Sequence, residues 1–371
     1  MKGVVLFSSV SLLAVMAAAE CVAQGELRER AEAVVDADGT VHVPKMDVPL
    51  SRLASEEAKR NFESFVEGFN SLEGVAGEGE DIDALRKFID DRLMRPGVEK
   101  LRHVFAVEIA PTKIGGVQTD VINPVGGYGK RNGRRVLINL HGGSFEVGAR
   151  LGGQMESIPI ASLGKIRVIT VDYREGPENR FPAASEDVAA VYRQLLKEYP
   201  AKNIGIYGCS SGATLTAEAV AWFQTHGLPV PGAIGIFGGG AFVPESAGDS
   251  TYIGSALVGW AVPPPNASDT VSYFDVPALD TKEPLVSPVY WPKVLAHFPP
   301  TLLLTGTRDI GLSPVVYTHA QLIHSGVEAE LHVWEGAPHC SYAQPVVDPE
   351  VPETREAWNA ITQFFDRHLG R

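Results

Sequence analysis

No basic stripe runs along this 371-residue chain: 32 Lys and Arg face 45 Asp and Glu, the formal net charge is −13, and acids and bases are mixed throughout. Such a chain does not suit nucleic acid as a partner. Cysteine is scarce, with three in all: Cys21, Cys209 and Cys340. The chain has neither an internal repeat nor a low-complexity tract. Its apolar run from Val4 to Ala19 is too short and too rich in small residues for a comfortable membrane span. What remains is an ordinary globular composition, long enough for one large α/β domain with a cap, or for two domains.

The apolar run instead fits a secretory signal over residues 1–23. Lys2 supplies the positive start, and Cys21-Val22-Ala23 fits the small-x-small cleavage rule, leaving Gln24 first. Ala17-Ala18-Ala19 is a second site, and a retained anchor is the minority alternative. Glu20 argues against lipid attachment at Cys21, which needs a small residue before it. The expected location is secreted or periplasmic, with no stable membrane insertion after cleavage. Removal takes Lys2 and Glu20 together, so the net charge is unchanged, and it leaves Cys209 and Cys340 where disulfides persist.

Residues 24–50 read as a loosely held leader, with D-A-D-G-T (Asp36 to Thr40) as a turn. Residues 51–103 read as an N-terminal helical cap. Ser55 caps a helix with Glu56 and Glu57 in its first turn. Phe62, Phe65, Val66 and Phe69 form its apolar face, either a plain packing face or the lining of a pocket. Gly74 to Gly79 is a flexible break. Asp81 to Met94 is a second helix, ended by Pro96 and Gly97. From 104 to 371 strand and helix patterns take over. Val104–Ile109 and Val117–Ile122 read as an antiparallel edge pair. Arg135–Leu140, Ile166–Val171, Asn203–Gly208, Ala233–Phe237, Pro300–Thr305 and Glu328–Trp334 read as the remaining strands. Helices are expected at Ser185–Glu198, Ala213–Phe223 and Pro352–Leu369. The alternation predicts an α/β fold with a mostly parallel sheet flanked by helices. Residues 241–290, containing Pro263-Pro264-Pro265, are too long for a plain loop and are expected to add to the cap. Gly238-Gly239-Gly240 lacks the lysine and Ser/Thr of a phosphate loop and reads as a tight strand exit.

The chemistry centres on G-C-S-S-G, Gly208 to Gly212, between a strand and a helix. That context suits a turn that lifts Ser210 clear of the sheet, with Gly208 and Gly212 placed where side chains would collide. A serine hydroxyl needs a base, and the base needs an acid to hold its tautomer. Asp309 follows one late strand in G-T-R-D, and His339 follows the last in E-G-A-P-H. Alone, Asp309 reads as a turn residue and His339 as a loop histidine. Together they give the order Ser210, Asp309, His339 at carboxyl ends of strands. His103, His297, His319, His324, His332 and His368 fall in worse places. Backbone N–H donors for a substrate oxyanion are expected from Gly142, Gly143 and Ser211. Ser211 is also a weaker candidate for the nucleophile.

The stretches L-H-G-G-S-F, D-Y-R-E-G-P-E-N-R-F-P-A-A, G-C-S-S-G, G-T-R-D and G-A-P-H resemble the hormone-sensitive-lipase-like branch of the α/β-hydrolases. The resemblance covers Arg135 to the end, with the helices before it similar to that family's N-terminal cap. It implies a carboxylic-ester hydrolase working through an acyl-enzyme, with no metal and no cofactor. It also assigns the oxyanion role to Gly142 and Gly143. Ser144 departs from the family by replacing the third glycine. Cys209 replaces the acidic residue before the nucleophile, and Ser211 the alanine after it.

Cys209 adjoins Ser210 and Cys340 adjoins His339, which resembles the Cys-Ser…Asp…His-Cys arrangement of the tannase and feruloyl esterase family. In that family the two cysteines form a disulfide. Adjacency to a bonded Ser–His pair is compatible with a bridging distance but does not fix direction. Two small buried thiols are the alternative. The expected function is hydrolysis of a small ester or lactone. An amidase or peptidase using the same three residues, and a non-catalytic binding protein on this fold, are the alternatives. No sequence rule sets acyl length, alcohol or oligomeric state.

Overall fold

A computed structural model describes residues 34–43, 45–70, 81–243, 248–260, 262, 271–343 and 347–370. The expected signal, the Gly74–Gly79 break and the proline triplet lie outside the described residues. The chain divides into a unit over 1–49 and a unit over 50–371. In the first, Val34–Val35 pairs antiparallel with Val41–His42 across the expected turn. Gly39 takes φ +92, and the Asp36 N–H donates to the Thr40 carbonyl at 2.8 Å.

The second unit is built on an eight-stranded sheet. Its strands are β1 (Val107–Ile114), β2 (Val117–Pro124), β3 (Val136–Leu140), β4 (Arg167–Val171), β5 (Ile204–Cys209), β6 (Ala233–Phe237), β7 (Thr301–Arg308) and β8 (Ala329–Pro338). The spatial order is β8-β7-β6-β5-β3-β4-β2-β1. β2 is antiparallel to both β1 and β4, and every other pairing is parallel. Only β1 of the expected edge pair is therefore an edge. Pro111 is tolerated there because an edge strand can forgo one N–H. The β1–β2 hairpin turns through Gly115 and Gly116, both at positive φ, as a tight two-residue turn requires.

Alternation along the central strands sorts the core into two layers. Val136, Ile138 and Leu140 of β3 face the cluster formed with α5 (Ala183–Leu195), α6 (Ser211–Thr225) and α9 (Leu312–His324). Leu137 faces the opposite cluster, with α3 (Arg95–Val104), α4 (Leu151–Gly164) and α10 (Pro352–His368). Burial on both faces explains why these strands read as continuous apolar runs.

Before the sheet come α1 (Glu56–Asn70) and α2 (Ile82–Ile89). The Ser55 Oγ accepts the Ala58 N–H at 3.0 Å, as expected of a cap, and donates to Glu353 of α10 at 2.7 Å. The expected second helix needs correction. α2 ends at Ile89 and passes through a π-helical turn, Asp90–Met94, directly into α3. Pro96 and Gly97 open α3 rather than ending α2. Proline lacks an N–H and is harmless in a first turn. α3 then takes Val104, so β1 starts later than expected and runs on to Ile114. The 241–290 stretch supplies α7 (Asp249–Val258), and α8 (Pro292–Leu295) follows it.

Candidate active site

Ser210 stands at the apex between β5 and α6, at φ +57 and ψ −124. Its neighbours show why the flanking glycines are required. A Cβ on Gly208 would come within 2.1 Å of the Leu140 carbonyl oxygen, and one on Gly212 within 1.9 Å of the same atom. β5 and α6 can therefore close on β3 only with bare backbone at both positions.

Both β7 and β8 run three or four residues further than the sequence patterns suggest, so Asp309 and His339 stand directly at their ends. Asp309 is buried. Its Oδ1 accepts the Gly311 N–H at 2.6 Å, and its Oδ2 accepts the Thr305 hydroxyl at 3.0 Å. His339 Nδ1 lies 2.6 Å from Asp309 Oδ1, which directs Nδ1–H to the carboxylate and leaves Nε2 as the basic atom. The Trp260 ring meets the His339 ring edge-on at 6.0 Å. Cys209 and Cys340 form a disulfide with Cα atoms 6.4 Å apart, joining the residue before Ser210 to the residue after His339. Cys209, His339 and Cys340 bring ligand atoms within 4.8 Å of one another, but both sulfurs are bonded together, so neither offers a thiolate to a metal.

Ser210 and His339 open onto one cavity of about 310 Å³. Its apolar lining includes Leu85, Ile89, Leu93, Met94, Met155 and Trp260. α2 and the π turn thus supply one wall and the long insertion another. Phe62 and Phe65 of α1 do not line the cavity themselves: they pack with Val258 against Trp260, which does. Arg86 fixes α2 in place. Its guanidinium donates to the Glu146 carbonyl at 2.8 Å, the Gly176 carbonyl at 2.6 Å and the Glu178 carboxylate at 2.6 Å. None of the competing histidines lines the cavity, nor does Ser211, whose side chain is fully buried.

The 141–148 loop follows β3 and borders the cavity. A Cβ on Gly142 would lie 2.9 Å from the Cys209 carbonyl oxygen and 3.3 Å from Ser210 Cβ, so its backbone is pressed against the elbow. The expectation for its N–H is corrected, however: that group donates to Glu156 Oε1 at 2.9 Å. The Gly143 and Ser211 N–H groups have no such partner among the described residues. His141 is buried, stacks on Tyr173 at 4.3 Å, and its Nδ1 lies 2.9 Å from the Gly142 carbonyl. Burial pushes its pKa down to about 4, so the ring is neutral and donates through Nδ1. Burial pushes Glu156 up to about 7, against the lowering effect of its bonds to Gly142 and Asn139. Sequence reasoning missed Glu156, Asn139, Thr305, Arg86 and Trp260. Glu156 left one signal, a lone acid in an otherwise uncharged fourteen-residue stretch.

A family model described as the alpha/beta hydrolase fold matches residues 137–343, more than half of the chain, and the chain belongs to that family. It is a hydrolase of the carboxylesterase class, of hormone-sensitive-lipase-like type. A crystallised esterase is 31% identical, with a TM-score of 0.74 over 88% of this chain and 98% of that one. An esterase from the bacterial hormone-sensitive lipase family is 25% identical, with a TM-score of 0.68 over 85% and 99%. An acetyl-hydrolase of Streptomyces hygroscopicus is 26% identical over 244 residues, 65% of this chain and 78% of its own. An esterase of Acinetobacter venetianus is 30% identical over 127 residues, 33% and 40% of the two chains.

Proposed function

We propose that the protein is a serine esterase for small, uncharged esters, working through an acyl-enzyme. One observation carries this reading: Ser210 at a strained strand–helix apex shares an apolar cavity with a buried His339–Asp309 pair bonded at 2.6 Å. His339 Nε2 takes the proton as Ser210 Oγ attacks the ester carbonyl, and Asp309 stabilises the imidazolium. The oxyanion is received by the Gly143 and Ser211 N–H groups. His339 then protonates the leaving alcohol, and water releases the acid by the same route in reverse.

The cavity is near the small end for ligand sites, and its walls are apolar, which favours short acyl chains of about two to six carbons. The likeness to an acetyl-hydrolase agrees with this. An aromatic ester rests on the cysteine pair alone and is not favoured. Residues 51–103 and the 241–290 insertion act together as the cap, since both contribute to the cavity walls. Export through residues 1–23 completes the reading, supported by the disulfide.

The test is a p-nitrophenyl ester series from acetate to laurate, with wild type and Ser210→Ala. Highest kcat/KM at the short end is expected, with kcat of the variant lower by at least about three orders of magnitude. A maximum at laurate would contradict the substrate class, and turnover by Ser210→Ala within about tenfold of wild type would contradict the nucleophile.

A further inference from the structure

The loop beside Ser210 has a strained backbone. Ser144 and Phe145 both lie in the left-handed region, at φ +56 and +59, between Gly143 at +122 and Gly148 at +105. Non-glycine residues keep such a conformation only where their surroundings over-determine it. Several contacts do so after residue 143. The Glu146 and Val147 N–H groups donate to the Gly143 carbonyl at 2.9 and 3.0 Å, and the Phe145 carbonyl accepts the Gly176 N–H at 2.7 Å. The Phe145 ring stacks on Tyr273 at 4.8 Å.

Gly142 is held separately, on both sides. Its carbonyl accepts from His141 Nδ1, and its N–H donates to Glu156 Oε1 at 2.9 Å. The Gly142 carbonyl and the Gly143 N–H share one peptide plane and point in opposite directions. Fixing Gly142 at both ends therefore fixes the direction of the Gly143 N–H. Glu156 is 5% exposed and borders the cavity. Its other oxygen accepts Asn139 Nδ2 at 2.7 Å. A carboxyl in this place is costly to bury, and an apolar residue would fill the same space more cheaply. Its hydrogen bond to the loop is what an apolar residue cannot supply.

We infer that Glu156 is a positioning residue for ester hydrolysis: by reaching the Gly142 N–H it holds the strained loop so that the Gly143 N–H meets the oxyanion. The inference rests on the function proposed above. Reach is what matters, because either protonation state leaves an oxygen to accept from Gly142.

Two substitutions separate reach from charge. Glu156→Gln keeps the length and an acceptor for Gly142 but removes the charge. The Asn139 amide can turn to meet it, since Asn139 Oδ1 has no partner among the described residues. Glu156→Asp keeps the charge and the pairing chemistry but withdraws by one methylene, which also limits the disturbance to folding. For each, kcat and KM are measured on the best p-nitrophenyl ester. The inhibition constant of a trifluoromethyl ketone, which adds to Ser210 and mimics the tetrahedral oxyanion, is measured alongside.

E156Q should stay within about threefold of wild type throughout. E156D should lose more than about tenfold in kcat, with KM within about threefold and the ketone weakened in proportion to kcat, as expected when an oxyanion donor is displaced. Unchanged kcat in E156D would overturn the inference. So would equal impairment of both variants, or a loss confined to KM with ketone affinity intact, which is the mark of packing alone. Ser210→Ala serves as the control. If it abolishes turnover while E156D does not lower it, the proposed function stands and the loop anchor fails; if wild type hydrolyses no ester, the proposed function itself fails.

Discussion

Ser210, Asp309 and His339 owe their placement to backbone as much as to side chains. Gly208 and Gly212 admit the sharp turn, and Gly311 and Thr305 aim the Asp309 carboxylate at His339. Glu156 shows the opposite economy, a carboxyl buried at the edge of the site with its pKa pushed up to about 7. The folded state thus holds a proton that the unfolded chain releases near its ordinary value of 4.5. Between those two values the unfolded state binds fewer protons, so the carboxyl's contribution to stability falls as pH rises, by up to about 1.4 kcal/mol per pH unit. Burial raises Asp172 and Glu175 over an overlapping range, but their effect cancels in a comparison with Glu156→Gln. Urea unfolding of both proteins from pH 4 to pH 8 should show wild type losing stability relative to the variant between about 4.5 and 7, and parallel curves outside that window. Parallel curves throughout would mean that Glu156 ionises normally. The placement of Ser210, Asp309 and His339 at strand ends is legible because each follows a clear strand pattern. Glu156 was not, because Gly152, Gly153 and Pro159 obscure the helical pattern of α4. The engagement of Gly142 by Glu156 was hidden with it, since only the fold brings α4 beneath the loop.

Among elements, the strands were read nearly in full because the central ones are buried on both faces and flanked by glycine, proline or polar turns. Their ends were less visible. β7 and β8 continue through Gly306-Thr307-Arg308 and through Glu335-Gly336-Ala337, stretches with the composition of loops. A Cβ on Gly306 would lie 2.1 Å from the Ala337 carbonyl oxygen, so close strand approach explains a glycine that reads as a turn. The join of α2 to α3 misled for a physical reason too. A proline that usually ends a helix here starts the next one, after a π turn that places Leu93 and Met94 in the cavity wall. Such turns are frequent at functional sites. α2 is anchored to the catalytic unit through Arg86, which bonds two carbonyls and a carboxylate. Arg86→Met should loosen the wall formed by Leu85 and Ile89, raising KM for the preferred ester by roughly tenfold with a smaller change in kcat, since charge-assisted hydrogen bonds are worth about 1.5–3 kcal/mol. Steady-state kinetics decide this, and an unchanged KM would show that the wall stands without its anchor.

At the scale of the molecule, a parallel sheet gathers at one edge residues far apart in the chain: Ser210 after β5, Asp309 after β7 and His339 after β8. The Cys209–Cys340 bond then ties two of those strand ends across a sequence separation of 131 residues. The chain-entropy model allows up to about 5 kcal/mol for a loop of this length. We propose that its local effect is to limit drift of the His339 loop from the elbow. The topology also allows one measurement to address the whole account. The protein is treated with a p-nitrophenyl alkylphosphonate, digested without reduction, and mapped by mass spectrometry. One phosphonyl group per chain is expected, on Ser210, in a species whose Cys209 peptide remains bonded to the peptide carrying His339 and Cys340. An adduct on Ser211 or any other residue, or an enzyme that stays fully active and unlabelled, would contradict the assignment of Ser210 as the nucleophile.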